Sequence, residues 1–172
     1  MPATNRPAGG RVSPFLSLGG WWLLARAGFA AVSKGMRDEH LADRREWIAG
    51  DAELVAAFEQ GLAEGGDDGA HRRIADLVAA RLEESGQGVA PRGFGIVGVA
   101  QQYLFAGDPD RTIDSLEKAY EVRTPNLLDI GYGPLWDPLR SDPRFQDLLR
   151  RMNLPTTSAG SGPADGSLAS GS

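Results

Sequence analysis

GIVGVAQQYLFAGDPDRTIDSLEKAYEVRTPNLLDIGYGPLWDPLRSDPRFQDLLRRMNLP, residues 95–155, is the stretch whose reading decides the fold. Between Val99 and Tyr120, Ala100, Tyr103, Ile113, Leu116 and Ala119 recur at helical spacing, and Gly107 and Pro109 punctuate the middle. That pattern is a helix, a glycine turn and a second helix. Asp137-Pro138 and Asp142-Pro143 then each set a carboxylate before a proline, the order that starts helical turns with few orphaned amides. Phe145, Leu148, Leu149 and Met152 form one apolar stripe, while Arg144, Gln146, Asp147, Arg150 and Arg151 fall on the other face. The last two arginines sit where cations complement the helix dipole, and Asn153 and Pro155 stop the helix. A helix with one wet face is what the last element of a helical stack requires.

Upstream, the same logic predicts helices at about 17–34, 38–49, 52–64, 69–85, 93–106 and 109–122, with a final one at 142–152, and no strand signal anywhere. Gly35, Gly65 and Gly107 mark the turns inside three helix pairs. Their spacings of 30 and 42 residues straddle the repeat length of about 34 found in tetratricopeptide arrays. The third pair is best formed: Ala100 allows close helix approach, Tyr103 packs, Gly107 turns, and Leu116 and Ala119 line the second helix. Thr112 replaces the alanine usual at the tightest crossing. The second pair keeps Leu54, Phe58, Gly65-Gly66, Ala70, Ile74 and Leu77, whereas in the first His40, Arg44 and Trp47 stand where small or apolar residues are expected.

On these residues the chain resembles a tetratricopeptide repeat protein over about residues 22–155. The WDPLRSDPRFQDLLRRM segment is similar to the C-terminal end of repeat regions in bacterial signalling proteins, where such arrays follow kinase, cyclase or winged-helix domains. The resemblance implies an all-α fold, a short α-solenoid of about three helical hairpins with a C-terminal capping helix. It also implies a non-enzymatic scaffold that binds a peptide or helix of another protein in a concave groove. The first helix of each pair lines that groove in such arrays, which here assigns Trp22, Phe29, Val55, Leu62, Val97, Gln101 and Phe105 to it.

The organisation expected is a disordered leader at 1–14, the repeat domain at 15–155 and a disordered Gly/Ser-rich tail at 156–172. At 41% hydrophobic and 24% charged, the 172 residues suffice for one domain with a working core. Net charge is -5, and all but two of the 18 basic residues and all but one of the 23 acidic ones lie between 22 and 155. Phosphate backbones and anionic membranes are therefore not expected partners. The absence of cysteine removes disulfides, thiolate metal sites and a cysteine nucleophile, and fits a cytoplasmic setting.

Phe15 to Val32 is the longest apolar run, but Gly19, Gly20, Arg26 and Gly28 interrupt it, and an arginine near the centre of a span costs roughly 3 kcal/mol. A cleaved secretory signal is the rival, with Arg6 and Arg11 as the basic region and Ala25-Arg26-Ala27 as the cleavage site; it would make this an exported repeat protein at the cost of most of its first helix. Catalytic and cofactor signals are sparse. His40 and His71 carry no metal-ligand spacing, Asp67 and Asp68 near His71 read as helix caps, and Asp108 and Asp110 cap the helix that follows them. Gly93-Phe94-Gly95 followed by Gly98 matches G-x-G-x-x-G but lacks the preceding strand that a nucleotide site needs. No catalytic residue, cofactor or metal is assigned, and a small enzyme or ligand carrier with a pocket between repeats stands as the alternative. Trp21, Trp22, Trp47 and Trp136 are expected in the core.

Overall fold

Helix α1, Ala30–Ile48, runs without interruption through Gly35. In the computed structural model, which describes residues 30–86 and 95–156, this overturns the turn expected at Gly35. Met36, Arg37, Asp38 and Glu39 follow that glycine, and no turn-forming residue among them opposes a helix, so Gly35 costs only about 1 kcal/mol of propensity and the helix continues. The expected first hairpin is therefore one helix where it is described. Trp21, Trp22, Phe29, the leader and the tail from Thr157 onward lie outside the described residues.

Gly65 and Gly66 do make the turn expected of them. Residues Ala52–Ser85 form α2, and at its middle Gly65 (φ -140°, ψ 18°) and Gly66 (φ 61°, ψ -147°) leave helical geometry. The Gly66 pair of angles is open essentially to glycine alone. The chain reverses there, and the two halves cross with no side chain between them: a Cβ placed on Gly61 would lie 2.3 Å from the Gly69 carbonyl oxygen, and one on Gly69 2.2 Å from that of Gly61. Asp51 ties the open end of the hairpin. It caps α2 by accepting from the Leu54 amide at 3.1 Å, and accepts from Arg81 Nη1, thirty residues on, at 2.6 Å.

Helices α3 (Ile96–Phe105) and α4 (Pro109–Glu121) form the hairpin that residues 95–155 promised. Gly107 takes φ 68° and closes α3 with paired bonds from its own amide to Leu104 and from the Asp108 amide to Tyr103. Asp108 then caps α4, accepting from the Arg111 amide, with Pro109 at the first helical position. The same double bond ends α4 and the terminal helix α5 (Pro143–Arg151), with Arg123 and Asn153, both at φ 56°, in glycine's place.

Two 3-10 segments, Pro125–Gly131 and Pro134–Leu139, connect α4 to α5. Asp137 does not cap a helix as expected. Pro134 has already started the second segment after Gly133, so Asp137 falls inside it and accepts from Arg140 Nε at 2.7 Å. Asp142 does cap, accepting from the Arg144 amide at 2.8 Å. Phe145, Leu148 and Leu149 of α5 are fully buried, and Met152 packs beside them.

The principal packing runs α1 on α2, α2 on α3, α3 on α4 and α5 on α4, around one continuous core. Its backbone is Ile48, Phe58, Ile74, Ala100, Leu116 and Phe145, all at or near zero exposure. Each large apolar side chain among them contributes about 1.5–3 kcal/mol on burial. Among the described residues the fold is all-helical, with no strand. None of its helices is long and apolar enough to cross a membrane.

Candidate functional site

A helix three turns long presents two stripes, and α3 uses both. Ile96, Val99 and Tyr103 fall on one, Val97, Gln101 and Phe105 on the other. The first stripe faces a cavity of about 230 Å³ between α2, α3 and α4. Ala79 and Leu82 of α2 complete its apolar floor, and Glu83 with Arg111, Asp114, Ser115 and Lys118 of α4 form its rim. On α4 those four residues follow a helical stripe at i, i+3, i+4 and i+7, so one face of that helix supplies its side of the polar rim.

The rim is ordered by ion pairs. Tyr103 donates its hydroxyl to Asp76 Oδ1 at 2.8 Å, and Arg111 Nη1 donates to the same oxygen at 2.7 Å while its guanidinium lies 5.4 Å from the Tyr103 ring. Burial, and then the neighbouring Asp76 carboxylate, push the Tyr103 phenol up to about 12, so it stays a donor at all physiological pH. Across the opening Lys118 Nζ donates to Glu83 Oε1 at 2.8 Å, which lowers the Glu83 carboxyl below its ordinary value. All four charged partners in these two ion pairs are about half exposed, where ion pairs contribute roughly 0–1 kcal/mol to stability. Their effect is to frame an apolar floor with two cations and several carboxylates.

Of the groove residues named by resemblance, none of the described ones lines this cavity. Trp22 and Phe29 lie outside the described residues. Val55 and Leu62 are half-buried on the first half of α2, Gln101 is half-buried on α3, and Val97 belongs to the core. Phe105 is 1% exposed, enclosed by the imidazoles of His40 and His71 at 5.6 and 5.2 Å between ring centres. It therefore cannot line an open trough. These residues of α3 lie on the stripe opposite the cavity.

The histidines hold the main surprise. Placed 31 residues apart, they meet with ring centres 5.3 Å apart, and both are buried. His71 Nδ1 shares a 2.8 Å hydrogen bond with Gln102 Oε1, another buried polar group that carries no local sequence signal. Because an amide oxygen only accepts, Nδ1 carries the proton and Nε2 is left as a lone pair, which has no hydrogen-bond partner. Arg44, which stands where a small or apolar residue is expected, is largely enclosed, and burial lowers its guanidinium to about 10. Trp47 is 37% exposed rather than in the core, stacked under Arg44 at 5.3 Å, while Trp136 is buried as expected. Among the described residues no three histidine or acidic side chains converge as a metal site, and His71 is fully buried.

Comparison of the chain with protein-family models, with curated proteins and with solved structures returned no match.

Proposed function

We propose that this protein is a non-enzymatic, cytoplasmic scaffold whose cavity between α2, α3 and α4 holds a peptide or helix from a partner protein, in the manner of a short tetratricopeptide-like solenoid. The observation that carries this reading is the cavity's construction: an apolar floor of Ala79, Leu82, Ile96, Val99 and Tyr103 under a charged rim. At about 230 Å³ it is smaller than the roughly 300–1,000 Å³ of typical small-molecule and cofactor pockets, and it suits one apolar anchor side chain from an extended or helical segment. Lys118 and Arg111 on one wall and Glu83 and Asp114 beside them give a partner's flanking polar atoms both signs of charge to meet. Packing chiefly between consecutive helices supports the solenoid, and the resemblance of residues 22–155 supports a role in bacterial signalling or transcriptional regulation.

The test is a peptide library displayed on phage and selected on the intact chain, with two blocked variants as counter-screens. Ala79→Glu sets a charge on the floor, and Ser115→Trp fills the opening from the opposite wall. Selected peptides that share an apolar anchor and lose at least tenfold in affinity to both folded variants support the reading. Peptides that bind both variants as well as wild type place recognition elsewhere, and a selection that enriches nothing removes the peptide-scaffold reading.

A further inference from the structure

We propose that His40 and His71 form an acid-sensitive latch: protonation of the pair releases α1 from α2 and α3 and uncovers the aromatic surface at Phe105. Three elements meet at this pair. His40 lies on α1, His71 on the second half of α2, and Phe105 and Gln102 on α3, so the ring cluster is the seam by which the first described helix is held to the rest. Helix α1 packs on α2 more sparingly than α2 does on α3 or α3 on α4. Among the described side chains of α1, Leu41 and Ile48 are the buried apolar ones.

The cluster is built for neutral imidazoles. His71 is fully buried, its one hydrogen bond to protein is to Gln102, and the other face of the pair is the Phe105 ring. The charged group acting on both rings is a cation, Arg44, one turn along α1 from His40. Of the other charged groups nearby, Asp38, Glu39 and Asp43 on α1 are exposed, with Asp43 acting on Arg44; on α2 Asp67, half-buried, and Asp68, exposed, stand one turn before His71, and Arg72 sends its guanidinium to the Ala106 carbonyl at 3.2 Å. From α3 the facing side chains, Gln102 and Phe105, do not titrate. Residues 1–37 include no Asp or Glu. Burial first, then the positive neighbours, bring His40 to about 3; burial and Arg44, against the raising effect of the Gln102 bond, bring His71 to about 4.

The sign follows from those depressed values. With both groups at 6.5 when exposed, the open form binds the protons, so the closed form is favoured above pH 6.5 and loses ground as pH falls below it, down to about 4. Two histidines released together raise the opening equilibrium about 500-fold between pH 7 and pH 5, and one alone about 20-fold.

Hydrogen exchange of the full chain at pH 7 and pH 5, corrected for intrinsic exchange, reads this directly. The expected result is an opening constant for residues 38–48 that rises several hundred-fold while residues 96–121 change less than tenfold. In His40→Phe, which keeps a ring but no proton site, the rise drops to about 20-fold. If that variant does not fold, the wild-type imidazole signals decide the matter: the chain has only two histidines, and neither should titrate in the folded state between pH 7.5 and 5.5. A folded-state histidine titrating near pH 6.5, or protection of α1 that does not fall at pH 5, overturns the latch.

Discussion

Replacing Gly61 with alanine should destabilise this protein, although the same change in most helices does the opposite. In an open helix Gly→Ala is worth about 0.5–1 kcal/mol in favour of the folded state. Gly35, with nothing within 4 Å of an added Cβ, should show that gain. At Gly61 the new methyl would meet the Gly69 carbonyl oxygen at 2.3 Å, where ordinary contacts begin at 3.4 Å, so the two halves of α2 must part by about 1 Å. A gap of that size forfeits up to about half the dispersion energy across the crossing. Overpacking of this kind costs about 1–3 kcal/mol, which exceeds the propensity gain. The net expectation is a loss of about 1–2 kcal/mol, or roughly 4–8 °C in Tm for a domain of this size. Gly69→Ala should behave alike, and Gly66→Ala should lose about 1–3 kcal/mol through its φ of 61° and ψ of -147° rather than through contact. Thermal and urea unfolding followed by circular dichroism gives all four values. If Gly61→Ala and Gly69→Ala are as stabilising as Gly35→Ala, α2 does not fold back on itself at Gly65-Gly66.

Three further outcomes follow from named contacts. Asp51→Ala should cost about 1–2 kcal/mol, by removing both the cap of α2 and the partner of Arg81. The Arg81 guanidinium and then the Leu54 amide hold the Asp51 carboxyl down to about 2, so its contribution is present above pH 3.8 and lost as pH falls through 2; urea titrations in that range should lose this dependence in Asp51→Asn. Phe145→Ala should cost about 3–5 kcal/mol, because the ring is fully enclosed between α5 and its neighbours, and an unchanged denaturation midpoint would mean that α5 does not seal this end. Arg123→Gly should raise stability by about 0.5–1 kcal/mol, since a side chain there occupies left-handed backbone at φ 56° that glycine adopts freely; a lower Tm would refute that geometry.

What was legible in the sequence was local. Gly107 with Asp108-Pro109, Gly65-Gly66, Asp142-Pro143 and the stripe of Phe145, Leu148 and Leu149 each carry their meaning within a few residues, and each stands where expected. Gly35 misled because a lone glycine is ambiguous: the real turns pair glycine with a second glycine or with Asp-Pro, whereas Gly35 is followed by Met36-Arg37-Asp38-Glu39. Asp137-Pro138 misled because Gly133-Pro134 had begun the turn four residues earlier. The His40, His71 and Gln102 cluster was not legible at all, since the first two are 31 residues apart and no local rule joins them. The cavity left a partial trace in the Ile96, Val99, Tyr103 stripe and in the spacing of Arg111, Asp114, Ser115 and Lys118. Choosing between the two stripes of α3 required knowing that His40 and His71 cover Phe105 on the other.

The most direct test of the scaffold is to map where a selected peptide sits. Amide chemical-shift changes on titration of a phage-selected peptide into the isotopically labelled chain should concentrate at residues 79–83, 96–103 and 111–118, with Tyr103 and Lys118 among the largest. Shifts confined instead to Val55, Leu62, Val97 and Gln101, or spread evenly over the chain, would contradict the assignment of recognition to the cavity between α2, α3 and α4.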